Sequence, residues 1–429
     1  MKKISNIITA AALGAALAVA APLAPAGAAD FFKGKTIKIL VGYSPGGGYD
    51  LYARTLGRNM GKFVPGNPTV IVKNMTGAGS LRAANYIYHK APKDGTVFGT
   101  FSRGLPLLAL TGKGKNVRFD PVKFTWIGST SSYANDAYLL TVHKKAGITS
   151  VRQLMGKNPK QVTFGSTNHG STGFDIPLVL KDALGINIKL VHGYPGGSAI
   201  NLAITRGEMD GRTQGLSSLR TMGNWRAERV PLVQFARGLN RHSDLKDVPT
   251  AKELATRQED RDLIAMLETA FYMARPYAAP PGLPAARTKI LRKAFMETQR
   301  NPGYMGDAKK LRIDVSPKSG SEVDQIVAQM MAMPKPLIAR YKMIVENPKS
   351  TRRTVNWQTI TGKISKVKRK GKLEFKVAGK KYKTRMRKRY TKVKINGKKA
   401  KRKKVKKGMT CKIWWEGNKS TAGKLECTK

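Results

Sequence analysis

The stretch Thr36 to Tyr43, TIKILVGY, is a short β-branched apolar run that passes directly into Ser44-Pro45-Gly46-Gly47-Gly48. It continues into Leu51 to Met60, where Leu51, Ala53, Leu56 and Met60 recur at helical spacing. This order predicts strand, glycine loop, helix. The unit recurs at once: a strand from Pro68 to Lys73 leads through Gly77-Ala78-Gly79-Ser80 to a helix over Leu81 to Ala91. Further strands are expected at Val97 to Phe101, Trp126 to Gly128, Tyr138 to Val142, Gln161 to Gly165, Ile188 to His192 and Pro231 to Ala236. Such alternation predicts an α/β body of parallel sheets flanked by helices. Two separate glycine-loop regions, near residues 46 and 168, divide it into two lobes, with a ligand cleft outside the carboxyl ends of the strands.

From Pro284 to about Asn347 the pattern is helical, with Ile290, Leu291, Ala294 and Phe295 on one stripe and Val323, Ile326, Val327 and Met330 on another. These helices are expected on the first lobe. After Pro348, aromatic and β-branched residues alternate with Lys and Arg between turns at Lys370-Gly371, Ala378-Gly379, Asn396-Gly397 and Lys407-Gly408. That reads as a small all-β, OB-like barrel. The expected organisation is a signal peptide over 1–29, a first lobe over 30–136 and 273–347, a second over 137–272, and a basic β domain over 351–429.

Lys2 and Lys3, the apolar stretch Ile7 to Ala20 and the small residues Ala26-Gly27-Ala28 form an export signal, with cleavage near Ala28; an uncleaved anchor is the alternative. No Cys follows to accept a lipid, and no later run reaches the roughly 20 apolar residues of a membrane helix. A periplasm-like compartment is expected. Cys411 and Cys427 lie on two strands of the tail, where they form either a cross-strand disulfide or two free thiols.

The five histidines are scattered with no HExxH spacing, no GxSxG elbow is present, and both cysteines lie in the tail. Neither a metal, a cofactor nor a catalytic nucleophile is expected, and the chain reads as a binding protein rather than an enzyme.

Gly46, Gly47 and Gly48 expose backbone N–H groups at a helix start, where partial positive charge favours a carboxylate or phosphate. The loop lacks both dinucleotide and P-loop spacing, and a tight turn alone would also need glycine. A second loop, Gly165 to Gly173, offers Ser166, Thr167, Asn168, Gly170, Ser171 and Thr172 for hydrogen bonding, while Ser171 or Thr172 caps the following helix. Tyr194-Pro195-Gly196-Gly197-Ser198 repeats the arrangement. Arg103 supplies either a bidentate grip on a carboxylate or an exposed charge.

Taken together, VGYSPGGGYD at 41–50, NMTGAGSLRAANYIYHKAPKDGT at 74–96, FDPVKFTWIGS at 119–129, GYPGG at 193–197, GEMDGR at 207–212 and APPGLPAAR at 279–287 resemble the substrate receptors of tripartite tricarboxylate transporters, the TctC or Bug group. The resemblance covers roughly residues 30–347. It implies a type II periplasmic binding fold whose two lobes close on a small carboxylate and present it to a membrane permease. It places ligand contacts, often through ordered water, at Ser44, Gly46, Gly47, Gly48 and Asp50 and at Ser166, Thr167, Asn168, Gly170, Ser171 and Thr172. Gly79, Ser80, Tyr194 and Gly196 are weaker candidates. Asp50 either orders its loop or binds an amino group of the ligand.

Residues 351–429 extend beyond that family pattern and hold 30 Lys and Arg against 3 acids, within a chain of net charge +53. Such a segment is either a solvated face or an attachment to a polyanion through counterion release or an anionic membrane surface. Export favours an envelope polymer or lipid surface over nucleic acid. Trp357, Phe375, Tyr382, Tyr390, Trp414 and Trp415 serve either to stack on bases or to fill a minimal core.

Overall fold

The computed structural model describes residues 30–112, 116–235, 240–346, 350–352, 358–368, 371–386, 391–415 and 422–428. The export signal with its cleavage point near Ala28, Trp357, Tyr390 and the start of the last expected strand at Thr421 lie outside the described residues. The chain divides into two compact units after Arg352.

The first unit carries strands β1 (Thr36–Val41), β2 (Thr69–Asn74), β3 (Val97–Thr100), β4 (Thr125–Ser129), β5 (Tyr138–His143), β6 (Val162–Gly165), β7 (Ile188–His192), β8 (Gly211–Gly215), β9 (Arg229–Phe235), β10 (Pro276–Ala279), β11 (Lys318–Ser319) and β12 (Ser350–Arg352). They form two six-stranded sheets, ordered β11-β4-β10-β3-β1-β2 and β12-β7-β6-β8-β5-β9. Ile37, Ile39, Leu40 and Val41 of β1 are all buried, because helices cover both faces of a strand inside an α/β sheet.

The sheets are mixed rather than purely parallel. β10 runs antiparallel between β3 and β4, and β5 runs antiparallel between β8 and β9. Each of these strands arrives from the opposite lobe, so each enters its sheet against the local direction. β8 and β10, with sequences GRTQG and PYAA, lack β-branched alternation and are set by their neighbours instead. Gly211 shows why: a Cβ there would lie 2.2 Å from the carbonyl oxygen of Thr141 on the paired strand.

Helices Ala285–Arg300 and Gly320–Met331 pack on β4 of the first sheet. The last helix, Lys335–Glu346, differs from the expectation that places 273–347 with the first lobe. It lies on the second-lobe helix Thr172–Leu184, where buried Tyr341 donates its hydroxyl to Asp175 at 2.9 Å and Arg340 pairs with Asp182 at 2.8 Å. β12 likewise joins the second sheet, beside β7.

The second unit contains β13 (Gln358–Lys368), β14 (Lys372–Val377), β15 (Lys380–Arg385), β16 (Lys392–Ile395), β17 (Lys398–Lys399), β18 (Thr410–Trp415) and β19 (Lys424–Thr428), in the order β15-β14-β13-β18-β19-β16-β17. Ala378-Gly379 and Asn396-Gly397 both take positive φ in successive positions, the conformation that two-residue hairpin turns require. Ile364, Phe375, Ile413, Trp415 and Leu425 make a small core, and Cys411 and Cys427, opposite one another on β18 and β19, are joined by a disulfide. Among the described residues β15 and β17 do not pair with each other, so the barrel is not closed by a continuous ladder. A backbone bond from Ala422 to Arg385 at 3.0 Å draws the sheet into a curl.

Candidate functional site

The first-unit helices Gly48–Met60, Thr172–Leu184 and Gly197–Thr205 begin immediately after glycine- or serine-rich loops, and their N-terminal caps are Gly47, Ser171 and Gly196. None of these caps turns a side chain onto its helix. Ser171 instead donates its hydroxyl to the carbonyl of Asn168 at 2.7 Å, and Thr172 donates to the Tyr138 hydroxyl at 2.9 Å. The capping expected of this pair is therefore absent, and the helix starts offer backbone N–H groups to a ligand.

Between the two sheets lies a cavity of ≈ 70 Å³, lined among others by Gly47, Gly48, Tyr49, Arg103, Thr167, Ser171, Thr172, Arg212, Gln214, Ser218 and Arg275. The lobes meet around it: Ser44 N–H donates to the carbonyl of Pro195 at 3.1 Å, and the Ser198 hydroxyl donates to that of Pro45 at 3.0 Å.

Among the described residues, three guanidinium groups and no acid line this cavity. Arg103 is 3% exposed, which overturns the surface reading of this residue. Its backbone N–H donates to the Tyr49 hydroxyl at 3.1 Å, and its guanidinium packs over the rings of Tyr49, Tyr138 and Phe271. Burial opposes its charge, but Tyr49, Tyr138 and Asp136 more than offset this and hold its pKa above the ordinary arginine value. Arg275 stacks on Tyr49 and Tyr52 and donates to Ser218 at 3.0 Å, leaving its Nε buried with no partner among the described residues. Arg212 donates to the Gly197 carbonyl at 2.7 Å, and burial pushes its pKa down to about 10, still well above neutrality. The hydroxyl of Thr167, which lines the cavity, is also buried with no partner among the described residues. Unmet donors and net positive charge in one enclosure favour an anion that accepts several hydrogen bonds.

Of the residues expected at the site, Gly47, Gly48, Arg103, Thr167, Ser171 and Thr172 line this cavity. The others stand around it. Ser44 and Gly196 form the contact between the lobes, where a Cβ on Gly196 would lie 2.3 Å from the Ser44 hydroxyl. Gly46 donates its N–H to Asp50, whose carboxylate also binds Arg54 and Asn74. Ser80 accepts the N–H of Ser102 at 2.8 Å, while Gly79 backs onto the carbonyls of Asn168 and His169. Ser166 hydrogen-bonds Val191 through its backbone, Gly170 donates to Asp175, and Tyr194 is buried among Ile200, Ala203 and Ile204. Arg212 and Arg275 were not among the expected contacts. Their signal was an arginine at or beside a short, otherwise neutral strand, with Arg212 closing GEMDGR and Arg275 preceding β10.

Residues 52–343 match the tripartite tricarboxylate transporter family receptor. A relative from Cupriavidus necator, described as a UPF0065 protein in the gbd 5' region, is 26% identical over 344 residues, spanning 77% of this chain and 94% of that protein. The periplasmic binding protein BugD superimposes with a TM-score of 0.56 at 16% identity, covering 75% of this chain and all of its own. MatC from Rhodopseudomonas palustris, solved with bound malate, gives a TM-score of 0.56 at 20% identity, covering 73% of this chain and 100% of that one. Rpa4515 of R. palustris, solved with adipate, gives 0.55 at 18% identity, covering 75% and 99%.

Proposed function

The chain belongs to the tripartite tricarboxylate transporter receptor family, and from that premise we propose that it captures a small carboxylate between its two lobes and delivers it to a membrane permease from the periplasm. The observation that carries this reading is the cavity wall itself: Arg103, Arg212 and Arg275, with no acid among the described lining residues. Guanidinium groups present paired donors at the spacing of carboxylate oxygens, and the three uncapped helix starts add backbone donors. The malate and adipate held by structural relatives are of this chemical class. In this reading Gly47, Gly48, Thr167, Ser171 and Thr172 contact the anion, Asp50 orders the first loop, and Ser44 and Gly196 register lobe closure. The chain acts as a receptor, and no bond of the ligand is made or broken. The basic second unit supplies a separate contact with an anionic partner in the cell envelope.

The test is a thermal-shift screen of the mature protein against mono-, di- and tricarboxylates and neutral sugars. A ligand at a hundred times its Kd stabilises the folded state by about 2.7 kcal/mol, so a carboxylate should raise the melting temperature. A sugar that does so while no carboxylate does overturns the assignment.

A further inference from the structure

In the second unit, the outer face of β13, β18, β19 and β16 carries Lys363, Lys412, Lys424, Lys392 and Lys394 together with Thr359, Thr361, Thr410 and Thr428. Cys411, Ile413 and Trp415 of β18 face inward, while Lys412 and Trp414 face out. Across the ladders the outward positions fall into register: Lys363 lies opposite Lys376, Lys392 opposite Lys424, and Lys394 opposite Lys399. Like charges directly opposed on neighbouring strands destabilise a sheet. Among the described residues the acid on this face is Glu426, opposite Lys412 and Lys394 and shared between Lys424 at 2.7 Å and Lys394 at 3.9 Å, so the lysines outnumber it. The excess positive charge on this face suits an external anion.

Trp414 lies on this face between Thr359 of β13 and Lys424 of β19. Its neighbour Trp415 is 4% exposed and packs edge-on against Phe375. Trp414 stays outside that core, with the ammonium groups of Lys424 and Lys412 at 4.3 and 5.3 Å from its ring. A half-buried indole beside cations suits the headgroup layer of a bilayer, where Trp is enriched.

We propose that the outer face of β13, β18, β19 and β16, which includes Trp414, docks on an anionic phospholipid surface. The shape selects this partner over a polymer. The outer side of a curled sheet is convex, and its lysines spread across four strands rather than along one track, so it meets a plane more fully than it follows a strand. Among the described residues no helix is long and apolar enough to cross a membrane, so this attachment would be peripheral. Holding a receptor at the membrane raises its local concentration at a permease. The docking surface itself does not depend on which ligand the cleft takes.

The experiment is co-sedimentation of the full mature chain with vesicles of phosphatidylglycerol in phosphatidylcholine, and with phosphatidylcholine alone. Binding is expected to the anionic vesicles only, and to weaken as salt is raised. A lysine near an anionic surface contributes roughly a fivefold factor in partitioning, so the double variant Lys363→Gln, Lys392→Gln should partition about 25-fold more weakly. Because each substitution removes a like-charge repulsion, the variant should melt no lower than the parent, which separates a lost surface from a lost fold. Carboxylate-induced thermal shifts, read in the same variant, report the cleft independently. Equal binding to neutral vesicles, no binding to anionic ones at low salt, or tighter binding to duplex DNA or an anionic polysaccharide would each overturn the proposal.

Discussion

The carboxylate of Asp50 accepts the backbone N–H of Gly46 at 2.9 Å, reaching back across the glycine loop from the first turn of the helix that the loop introduces. The same carboxylate takes two hydrogen bonds from Arg54 at 2.9 Å and one from Asn74 at 2.7 Å, tying loop, helix and the end of β2 together. Burial alone would raise its pKa, but the hydrogen bonds from Arg54, Gly46 and Asn74 outweigh burial and hold it below the usual carboxylate range. The stability it confers is therefore complete above the ordinary carboxylate pKa and is lost as pH falls through the depressed one. Asp50→Ala should destabilise the first lobe by about 1.5–3 kcal/mol at pH 7. The loss should shrink below about pH 4, as melting curves across that range will show.

Arg103 and Arg212 approach the cavity from opposite lobes. Replacing either by Gln keeps much of the side chain's bulk but removes its charge. Each variant should bind its best carboxylate about 10- to 100-fold more weakly. Calorimetric titration checks this, and an unchanged Kd would remove the residue from the site.

Lobe closure has its own probe. Gly196→Ala places a methyl group 2.3 Å from the Ser44 hydroxyl and 3.0 Å from its backbone nitrogen, while its backbone is extended and unstrained. The substitution should hold the lobes apart and lower affinity at least tenfold, about 1.4 kcal/mol. The unliganded melting temperature should barely move. Small-angle scattering with and without ligand would show closure in the parent and its loss in the variant.

Asp314 titrates unusually. Burial, reinforced by the nearby charge of Asp136, pushes its pKa up to about 6, although Ser316 donates to it at 2.6 Å. A carboxyl raised on folding contributes stability below its unfolded pKa and loses it as pH rises through the folded value. Asp314→Asn should therefore be close to neutral at pH 4 and progressively stabilising up to pH 7, by about 2–4 °C for each kcal/mol. A constant difference across that window would contradict the assigned cause.

The disulfide between Cys411 and Cys427 closes a short loop in a unit with a small core. Its reduction, or the Cys411→Ala, Cys427→Ala double variant, should cost the second unit about 3 kcal/mol. Calorimetry should show one transition lowered, while carboxylate binding in the cleft is unchanged.

Local pattern carried much of this protein. The run TIKILV followed by glycine and then helical spacing specifies strand, loop and helix because each signal lies within a few residues, and β1 and the helix from Gly48 fall where that spacing puts them. The hairpin turns at Ala378-Gly379 and Asn396-Gly397 were legible for the same reason, since their positive φ values are a property of two adjacent residues. Gly47, Gly48, Thr167, Ser171 and Thr172 were legible as parts of loops that open helices.

Tertiary structure decided what those local signals do not contain. β8 and β10 are strands because the strands beside them supply their hydrogen bonds, whatever the propensity of GRTQG and PYAA. Arg103, Arg212 and Arg275 come from distant points in the sequence, and the neutral strands beside Arg212 and Arg275 are a weak mark in so basic a chain. Only the closing of one lobe on the other takes them out of water and turns their charge toward a single enclosure. The same holds for Trp414 and Trp415, adjacent in sequence and alike in composition: the pleat of β18 sends one into the core and leaves the other among lysines.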